Sequence, residues 1–283
     1  MGYKLLILDV DGTFLTADKR ATPAVKAAVK RLADFPFPVA FATGRMYEAI
    51  REWVQELGLR TPQICNNGAD IIDPVSEERL DTWSLEPDVV KRLLDCGREQ
   101  RVTTVLFSGS RVLGRAHSPD DWLIERNNET VQILPEKDLY AADLCVEKLL
   151  FLDRYDTGRI ESVRDDILSQ WPDTGSAFAC QVSEHGILNF SHPKANKLAA
   201  LQRLCCQLGI VTGEVIVMGD GDNDADILGG AGLGLAMANG SAAAKAAARR
   251  CVPDSDHDGV AVAIDEIIFP LIGDLRTAPP GSR

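Results

Sequence analysis

The chain has 283 residues, 45% of them hydrophobic, which is enough for one large α/β domain or two smaller ones with separate cores. A formal net charge of −12, with no cluster of Lys and Arg, argues against nucleic acid as a partner. The 7 cysteines show no CxxC spacing and are typical of reduced thiols in a cytoplasmic protein. No secretory signal and no long apolar run is present, so we expect neither export nor membrane association.

The first sixty residues alternate between apolar strands and amphipathic helices. Residues 4–9 form a continuous apolar run that ends in carboxylates, typical of a strand buried on both faces. A helix is predicted from Pro23, a second strand over 38–42, and a second helix over Tyr47–Leu57 that a glycine ends. This alternation indicates βαβ units and a parallel sheet.

The same alternation returns near the carboxyl end, so both ends of the chain are expected to build one parallel sheet. The predicted helices there are 197–208, 225–228 and 242–249, and the predicted strands are 215–218 and 233–236.

The middle of the chain lacks this order and predicts an inserted α+β domain. The expected fold class is therefore α/β, with a Rossmann-like parallel-sheet core and an inserted α+β domain. We predict a discontinuous core over 1–82 and 190–273, an insert over 83–189, and a flexible tail over 274–283. The strands predicted in the insert are 102–107, 111–114, 149–152, 176–180 and 186–190, and the helices are 88–98, 120–128 and 159–171.

Two carboxylates, Asp9 and Asp11, stand at the carboxyl end of the first predicted strand, in the sequence DVDGT. Open α/β sheets bind ligands at this edge, and residues two apart in an extended chain point the same way. One carboxylate of such a pair can attack phosphorus while the other protonates the leaving oxygen and then deprotonates water. A turn that merely uses Asp and Gly is less favoured, because burying two acids without a cation or partner is costly.

Polar residues also follow the next two predicted strands. Thr43, Gly44 and Arg45 offer a hydroxyl and backbone N–H groups that suit a phosphate oxygen, although a Thr-Gly pair alone is more often a helix cap. Their position after a parallel strand favours the ligand site. Asn67 and Gly68 end the third predicted strand, where a plain Asn-Gly turn explains them as well as a substrate contact does.

The sequence GDGDND follows another predicted strand and carries acids at Asp220, Asp222 and Asp224. Acids this dense must meet a cation or repel one another. A calcium loop of the EF-hand type is the competing interpretation, but alanines replace the glycine and the closing glutamate that it requires. The segment also follows a strand and not a helix.

Single basic and histidine residues carry less information. Lys197 stands near the start of a helix, where a lone lysine is ordinarily solvated, and only its place in the order of motifs makes it a candidate phosphate anchor. The histidines show no HxxxH or HExxH spacing, so each is better explained as a surface or core residue. His185 and Asn189, at the end of the insert, are the better candidates to face a substrate.

Four motifs of the chain, in this order, resemble those of the haloacid dehalogenase superfamily. The insert and the stretches LAMAN at 235–239 and DGVA at 258–261 resemble Cof-type phosphatases with a type IIB cap, similar to the mannosyl-3-phosphoglycerate, sucrose and trehalose phosphatase-like hydrolases. The match spans nearly the whole chain. The four motifs are DVDGT at Asp9, TGR at Thr43, Lys197, and GDGDND at Gly219.

The resemblance implies roles for these residues. Asp9 would be the nucleophile and Asp11 the general acid and base, while Thr43 and Lys197 would grip the transferring phosphoryl group. Asn223 and Asp224 would orient water, the metal or Lys197. Mg²⁺ would be held by a set of oxygen ligands, and the substrate would contact a second set. The implied metal ligands are Asp9, the Val10 carbonyl, Asp220 and Asp224, and the substrate contacts are Gly44, Arg45, Asn67, Gly68, His185, Asn189 and Asn223.

The predicted function is magnesium-dependent hydrolysis of a small phosphorylated metabolite, such as a sugar phosphate or a phosphoglycerate-like acid, by a monomer or homodimer. An inserted domain that excludes bulk water suits a compact polar substrate. A phosphomutase is the first alternative, although GDGDND is the phosphatase-like form of the fourth motif. A non-catalytic phosphometabolite sensor is the second, but binding alone requires neither Asp9 nor Asp11.

Overall fold

The computed structural model describes residues 2–35, 37–125, 127–141, 143–171, 177–182 and 186–273. The chain divides into two compact units. The core unit consists of Met1–Gly44, Ile50–Leu80 and Asn196–Arg283, and the inserted unit consists of Arg45–Ala49 and Asp81–Ala195. Residues 83–189, which the sequence predicts as the insert, lie inside the inserted unit. The predicted tail, 274–283, lies outside the described residues.

The secondary structure alternates as the sequence predicts at both ends of the chain. The strands are β1 (Leu5–Leu8), β2 (Val39–Phe41), β3 (Gln63–Cys65), β4 (Asp70–Ile72), β5 (Arg79–Thr82), β6 (Thr103–Ser108), β7 (Arg111–Gly114), β8 (Val131–Ile133), β9 (Lys148–Leu152), β10 (Ala179–Val182), β11 (Ile187–Ser191), β12 (Val215–Gly219), β13 (Leu233–Met237) and β14 (Arg250–Val252). The helices are α1 (Pro23–Asp34), α2 (Tyr47–Leu57), α3 (Pro87–Glu99), α4 (Trp122–Glu125), α5 (Glu136–Leu139), α6 (Thr157–Gln170), α7 (Lys197–Leu208), α8 (Ala225–Gly230), α9 (Ala242–Ala247), α10 (Gly259–Ala263) and α11 (Phe269–Gly273).

A parallel five-stranded sheet with the order β14-β13-β12-β1-β2 forms the centre of the core unit. Strands β1, β12 and β13 are buried along their whole length, which explains why they are continuous apolar runs in the sequence. Leu5 of β1 pairs with Val215 of β12, and Leu6 pairs with Val39 of β2. The two ends of the chain therefore build one sheet, as predicted.

Capping side chains and glycines set the ends of the long helices of the core unit. The Thr22 side chain accepts a hydrogen bond from the Val25 amide at the start of α1, and Asn196 caps α7 in the same way. Gly58 and Gly209, which follow α2 and α7, have φ of 68° and 66°, in the left-handed region that favours glycine. Helix α9 ends at Ala247, earlier than predicted, because β14 begins three residues later.

Several short parts of the core unit were not predicted. Strand β4 pairs antiparallel with β3, the third predicted strand, through the turn Asn66–Gly68, and the unpredicted strands β4 and β14 are each only three residues long. The helical segment that begins with α10 continues through the π-helix Ile264–Ile268 into α11. Short elements of this kind leave little periodic signal in a sequence.

The inserted unit contains a six-stranded sheet with the order β10-β11-β9-β6-β7-β8. Its described strand pairs are antiparallel except β7 with β8. Successive residues of β9 belong to separate apolar clusters, with Leu149 and Phe151 in one and Leu150 and Leu152 in the other. This is the period of two expected of a strand that is covered on both faces. The predicted α/β fold class with a parallel-sheet core and an inserted α+β unit is confirmed.

Some predicted elements of the insert differ in length. The helix predicted over 120–128 is only α4, because the 3₁₀ turn Pro119–Asp121, capped by Ser118, precedes it and Asn128 has a φ of 62°. The strand predicted over 176–180 is β10, and residue 176 lies outside the described residues. Among the helices that the structure describes, none combines the length and apolarity needed to cross a membrane.

Candidate active site

Polar and charged side chains lie together at the carboxyl edge of the parallel sheet. Asp9 follows β1, Thr43 lies two residues after β2, and Asp220 follows β12. The Asp9 amide donates to the Met218 carbonyl at 2.9 Å, so the sheet pairing continues up to the acid itself. Parallel strands that end side by side therefore bring residues from distant parts of the sequence to one edge.

Lys197 is buried between two carboxylates. Its Nζ donates to Asp9 Oδ1 and to Asp224 Oδ1, both at 2.6 Å, and the lysine is only 2% exposed. Burial alone would lower the pKa of Lys197, but the Asp224 and Asp9 carboxylates outweigh it and raise the pKa above its ordinary value. Lys197 is thus held as a cation at the first residue of α7.

Three carboxylates form a cluster that fits a metal ion. One oxygen each from Asp9, Asp220 and Asp224 lies within 4.8 Å of the others. Burial raises the pKa of Asp220 to about 6, helped by the Asp224 charge, against the Thr13 hydrogen bond. Burial also raises the pKa of Asp9 well above 3.8, and the Asp224 and Asp220 charges add to the rise although Lys197 opposes it. A divalent cation with oxygen ligands would relieve this repulsion.

Within the cluster, Asp224 is the most constrained carboxylate. Its Oδ2 accepts the amides of Asp220 and Gly221 at 3.0 and 2.9 Å, and its Oδ1 accepts from Lys197. A Cβ on Gly219 would lie 2.7 Å from the Asp224 carboxyl carbon, so glycine is required for this approach. Of the two roles predicted for Asp224, these contacts support the orientation of Lys197 more directly than metal ligation.

Two residues without a predicted role hold Asp220. Thr13 Oγ1 donates to Asp220 Oδ1 at 3.0 Å, and Asn239 Nδ2 donates to Asp220 Oδ2 at 3.3 Å and to the Gly12 carbonyl at 2.8 Å. The Ser255 amide in turn donates to Asn239 Oδ1 at 3.0 Å. Asn239 lies two residues after β13, so the rule that functional residues follow parallel strands would have found it.

Asp11 lies in the tight turn that follows Asp9. Its Oδ1 accepts a hydrogen bond from Lys19 Nζ at 2.7 Å, and the Asp11 charge contributes to the raised pKa of Asp220. The Val10 carbonyl, a predicted metal ligand, accepts the Leu15 amide at 2.8 Å within this turn. One of its lone pairs is therefore engaged, and its role as a metal ligand stays a prediction.

The second predicted motif lies beside the Asn66–Gly68 turn. The Asn67 amide donates to the Thr43 carbonyl at 2.9 Å, and Asn67 Oδ1 accepts from Asn223 Nδ2 at 3.0 Å. A Cβ on Gly44 would lie 3.1 Å from Asn67 Oδ1. The structure therefore brings together Thr43, Gly44, Asn67 and Asn223, all of them predicted to contact the phosphoryl group or the substrate.

Gly68 has a structural explanation. Its φ is 94°, a Cβ there would lie 2.3 Å from the Asn196 carbonyl oxygen, and its own carbonyl accepts from Arg203 at 2.7 Å. Glycine is thus needed for the close approach of this turn to the start of α7, and its predicted contact with a substrate stays a prediction.

Asp222 and three predicted substrate contacts complete the set of predicted residues. Asp222 is exposed and, among the described residues, is not part of the carboxylate group, which corrects the expectation that all three acids of GDGDND meet one cation. The 3₁₀ turn Asp222–Asp224 turns this side chain outward while burying Asp224. Arg45 and Asn189 belong to the inserted unit, where the Arg45 guanidinium donates to the Asn127 carbonyl at 3.2 Å. His185 lies outside the described residues.

This fold and this arrangement of acids at strand ends define the family. Residues 6–264 match the haloacid dehalogenase-like hydrolases, and the chain belongs to that family. The 5-amino-6-(5-phospho-D-ribitylamino)uracil phosphatase YitU of Bacillus subtilis is 30% identical over 93% of this chain and 96% of its own length. The HMP-PP phosphatase of Cronobacter sakazakii is 31% identical over 80% of each chain. The chain is a phosphatase of this family.

Solved structures agree with this assignment. A haloacid dehalogenase-like hydrolase from Bacteroides thetaiotaomicron superimposes with a TM-score of 0.85 at 26% identity, over 94% of this chain and 99% of that structure. A sugar phosphatase of subclass IIB superimposes with a TM-score of 0.78 at 18% identity, over 94% and 99%. The second likeness concerns the fold alone, which is of the Cof-like, type IIB kind expected from the sequence.

Proposed function

We propose that the chain is a magnesium-dependent phosphomonoester hydrolase that acts on a small phosphorylated metabolite through an aspartyl-phosphate on Asp9. The observation that carries this proposal is the pairing of Asp9 with Lys197 inside a cluster of carboxylates at the sheet edge. A buried acid paired only for stability would need one partner. Here Lys197 pairs with two acids of the cluster, and the third, Asp220, adds further negative charge that suits a cation.

In the first step, a carboxylate oxygen of Asp9 bonds to phosphorus while the bond from phosphorus to the ester oxygen breaks. The electron pair of that bond stays with the leaving oxygen, which takes a proton from the Asp11 carboxyl group and departs as an alcohol. In the second step, water attacks the same phosphorus and gives its proton to Asp11. The bond between phosphorus and Asp9 breaks, and inorganic phosphate leaves with both acids restored.

Lys197 and Thr43 stabilise the transferring group in this scheme. Lys197 is buried and cationic, so its charge acts on the equatorial phosphoryl oxygens with little screening by water. Thr43 is 1% exposed, and its backbone is fixed by hydrogen bonds to Ile64 and Asn67. Asp224 keeps Lys197 in place through Oδ1, and two amides keep Asp224 in place through Oδ2.

The carboxylates of Asp9 and Asp220, with Asp224 beside them, would hold the magnesium ion. When bound, Mg²⁺ offsets the repulsion between a carboxylate nucleophile and an anionic phosphate. Thr13 and Asn239 fix both oxygens of Asp220, so this ligand would need little reorganisation to bind the ion.

The substrate class is a compact phosphate ester. The relatives named above act on a phosphorylated ribitylaminouracil and on HMP-PP, and the subclass IIB neighbour is a sugar phosphatase. We therefore propose a sugar phosphate or a phosphoglycerate-like acid, with contacts from Arg45, Asn67, Asn189 and Asn223. Gly44, Gly68 and His185 are further proposed contacts. The free cysteines suit a cytoplasmic enzyme, which we propose to act as a monomer or homodimer.

The test is phosphate release from a panel of sugar phosphates, phosphoglycerates and nucleotides in the presence of magnesium. Intact protein is compared with Asp9→Asn and with Asp222→Asn, an exposed acid of the same motif that serves as the matched control. We expect one compact substrate to be hydrolysed, activity to vanish in Asp9→Asn and with chelator, and Asp222→Asn to stay close to wild type. Phosphate transfer between positions of a sugar, without release, would favour a mutase, and binding without any turnover would favour a sensor.

A further inference from the structure

Hydrogen bonds within the loop of residues 16–20, just after the DVDGT turn, fix its backbone conformation. The Thr16 amide donates to the Arg20 carbonyl at 2.9 Å, and the Lys19 amide donates to the Thr16 carbonyl at 2.9 Å. The Arg20 amide also donates to Thr16 Oγ1 at 3.2 Å. Lys19 has a φ of 59°, in a region that a lysine adopts only under constraint.

A second contact fixes this loop to another part of the core unit. The Ala17 amide donates to Asp256 Oδ1 at 2.9 Å, within the 3₁₀ turn Ser255–His257. The loop is thus held by its own hydrogen bonds and by an acid from the far end of the chain. Such a loop keeps one conformation, and so it keeps the side chain at its tip in one place.

The side chain that the loop presents is a lysine directed at the proposed general acid. Lys19 Nζ donates to Asp11 Oδ1 at 2.7 Å, and the two side chains are 36% and 30% exposed. Ion pairs at this exposure contribute little to folding stability. A constrained backbone that ends in a weakly stabilising ion pair is better explained by the position it gives to Asp11.

We infer that Lys19 is a positioning residue that holds the Asp11 carboxyl group for proton transfer; this rests on the proposed function. The ammonium donates to Oδ1 whether Asp11 carries its proton or has given it to the leaving oxygen. It therefore fixes the carboxyl group before the transfer and stabilises the anion formed by it. Lys19 thus acts through Asp11 and not on the substrate itself.

The test uses variants that separate the charge from the backbone. Lys19→Gly removes the ammonium while fitting the left-handed φ, Lys19→Met removes it without relieving the backbone, and Lys19→Arg restores a donor. Lys26→Met is the matched control, because Lys26 also pairs with an acid of the core unit, Glu56, at 2.7 Å. Melting curves show which variants are folded, and Lys19→Gly carries the test where Lys19→Met does not fold.

The readout is the first turnover of two phosphate esters. An alkyl phosphate needs a proton for its leaving oxygen, whereas p-nitrophenyl phosphate has a leaving group that departs without one. We expect Lys19→Gly to slow release of the alkyl alcohol about tenfold, as a fraction of the 10²–10⁴ that general acids contribute. Substrate affinity and release of p-nitrophenol should change much less, and Lys19→Arg should recover most of the rate.

A double-mutant cycle with Asp11→Asn completes the test. If Lys19 acts through Asp11, then Lys19→Gly should have no further effect in the Asp11→Asn background. An equal slowing in both backgrounds, or an equal loss with both esters, overturns the inference while leaving an active wild-type phosphatase. A wild-type protein that hydrolyses no ester overturns the proposed function, and the inference falls with it.

Discussion

The parallel sheet of the core unit and the six-stranded sheet of the inserted unit bury polar side chains in different places. In the parallel sheet the strands β1, β12 and β13 are wholly apolar inside, and the buried charges follow the strand ends. In the sheet of the inserted unit, Lys148, Asn189 and Ser191 are buried within the strands themselves. Lys148 Nζ lies 3.7 Å from the centre of the Phe107 ring, next to it in the sheet.

This difference explains why the core unit contains recognisable sequence motifs and the inserted unit does not. Residues at strand ends are free of the packing that the sheet imposes, so their identity follows the reaction and leaves short motifs. Residues inside strands must also satisfy packing and pairing, so a polar residue there gives no recognisable pattern. The predictions below separate the two kinds of buried polar group, beginning with the largest effect.

Removing the lysine of the core cluster should have the largest effect. Lys197→Met leaves Asp9 and Asp224 buried without their shared cation, and breaking a buried ion pair costs about 3–5 kcal/mol of unfolding free energy. Turnover should fall by about 10²–10³-fold, because the phosphoryl group loses the positive charge of Lys197. Denaturant unfolding and steady-state kinetics measure the two losses, with the exposed Lys245→Met as control. Normal turnover in Lys197→Met would contradict the proposed mechanism.

Truncating a buried apolar side chain in the sheet of the inserted unit should lower the unfolding free energy about as much as Lys197→Met does. It should leave magnesium binding unchanged. Phe151 is fully buried, its ring centre lies 5.0 Å from that of Phe190, and Phe151→Ala should cost about 3–5 kcal/mol. Magnesium binding to the core unit should be unchanged, as measured by titration calorimetry below the unfolding temperature. Loss of magnesium binding in the folded variant would mean that the metal site is not confined to the core carboxylates.

Magnesium should stabilise the core cluster by a smaller amount that depends on pH. At a hundred times its dissociation constant the ion adds about 2.7 kcal/mol, seen as a rise in melting temperature that chelator reverses and Asp220→Asn removes. Without metal, the Asp220 pKa of about 6 lies above its ordinary 3.8, so the folded state holds the proton more tightly. Its contribution to stability is therefore present below about pH 4 and is lost as the pH rises to about 6. A metal-free melting temperature that rises over this range would contradict the raised pKa.

The smallest change in stability is expected at Asn189. The Asn189 side-chain oxygen is buried and accepts no hydrogen bond from the described residues. Replacing the side chain with leucine, which is of similar size, should therefore change the unfolding free energy by less than about 1 kcal/mol. Asn189→Leu should nevertheless raise KM severalfold if the amide contacts substrate, as we propose. Unchanged KM and kcat in Asn189→Leu would remove Asn189 from the substrate contacts and leave it as a packing residue of β11.

The sequence predicted most of the fold because long elements repeat a clear signal. Helices α2 and α7 have the predicted bounds, and the parallel strands β1, β2, β12 and β13 differ from their predicted bounds by one or two residues. Strands β4, β8 and β14 were missed because a strand of three residues gives little periodic signal. The 120–128 helix was too long in the prediction because the cap at Ser118 and the left-handed Asn128 act against its apolar pattern.

The site was predictable only where side chains follow strands of the parallel sheet. This rule placed Asp9, Asp220 and Thr43 at one edge of the sheet, where they lie, and Lys197 was selected by its order among the motifs; their roles in catalysis stay predictions. The contacts of Thr13 with Asp220 and of Lys19 with Asp11 were missed because they depend on how a turn and a loop fold back onto the acids. No spacing rule carries that information; it comes from backbone conformations such as the positive φ of Lys19.

The central position of β1 in the parallel sheet sets an order of events during synthesis. This strand leaves the ribosome before the inserted unit does, whereas its neighbour β12 follows the inserted unit in the chain. The residues of the inserted unit emerge in between, as one nearly continuous stretch with mostly local pairings. We therefore expect the nascent inserted unit to fold first. Until β12 is synthesised, one edge of the apolar strand β1 has no partner strand and can bind chaperones or aggregate.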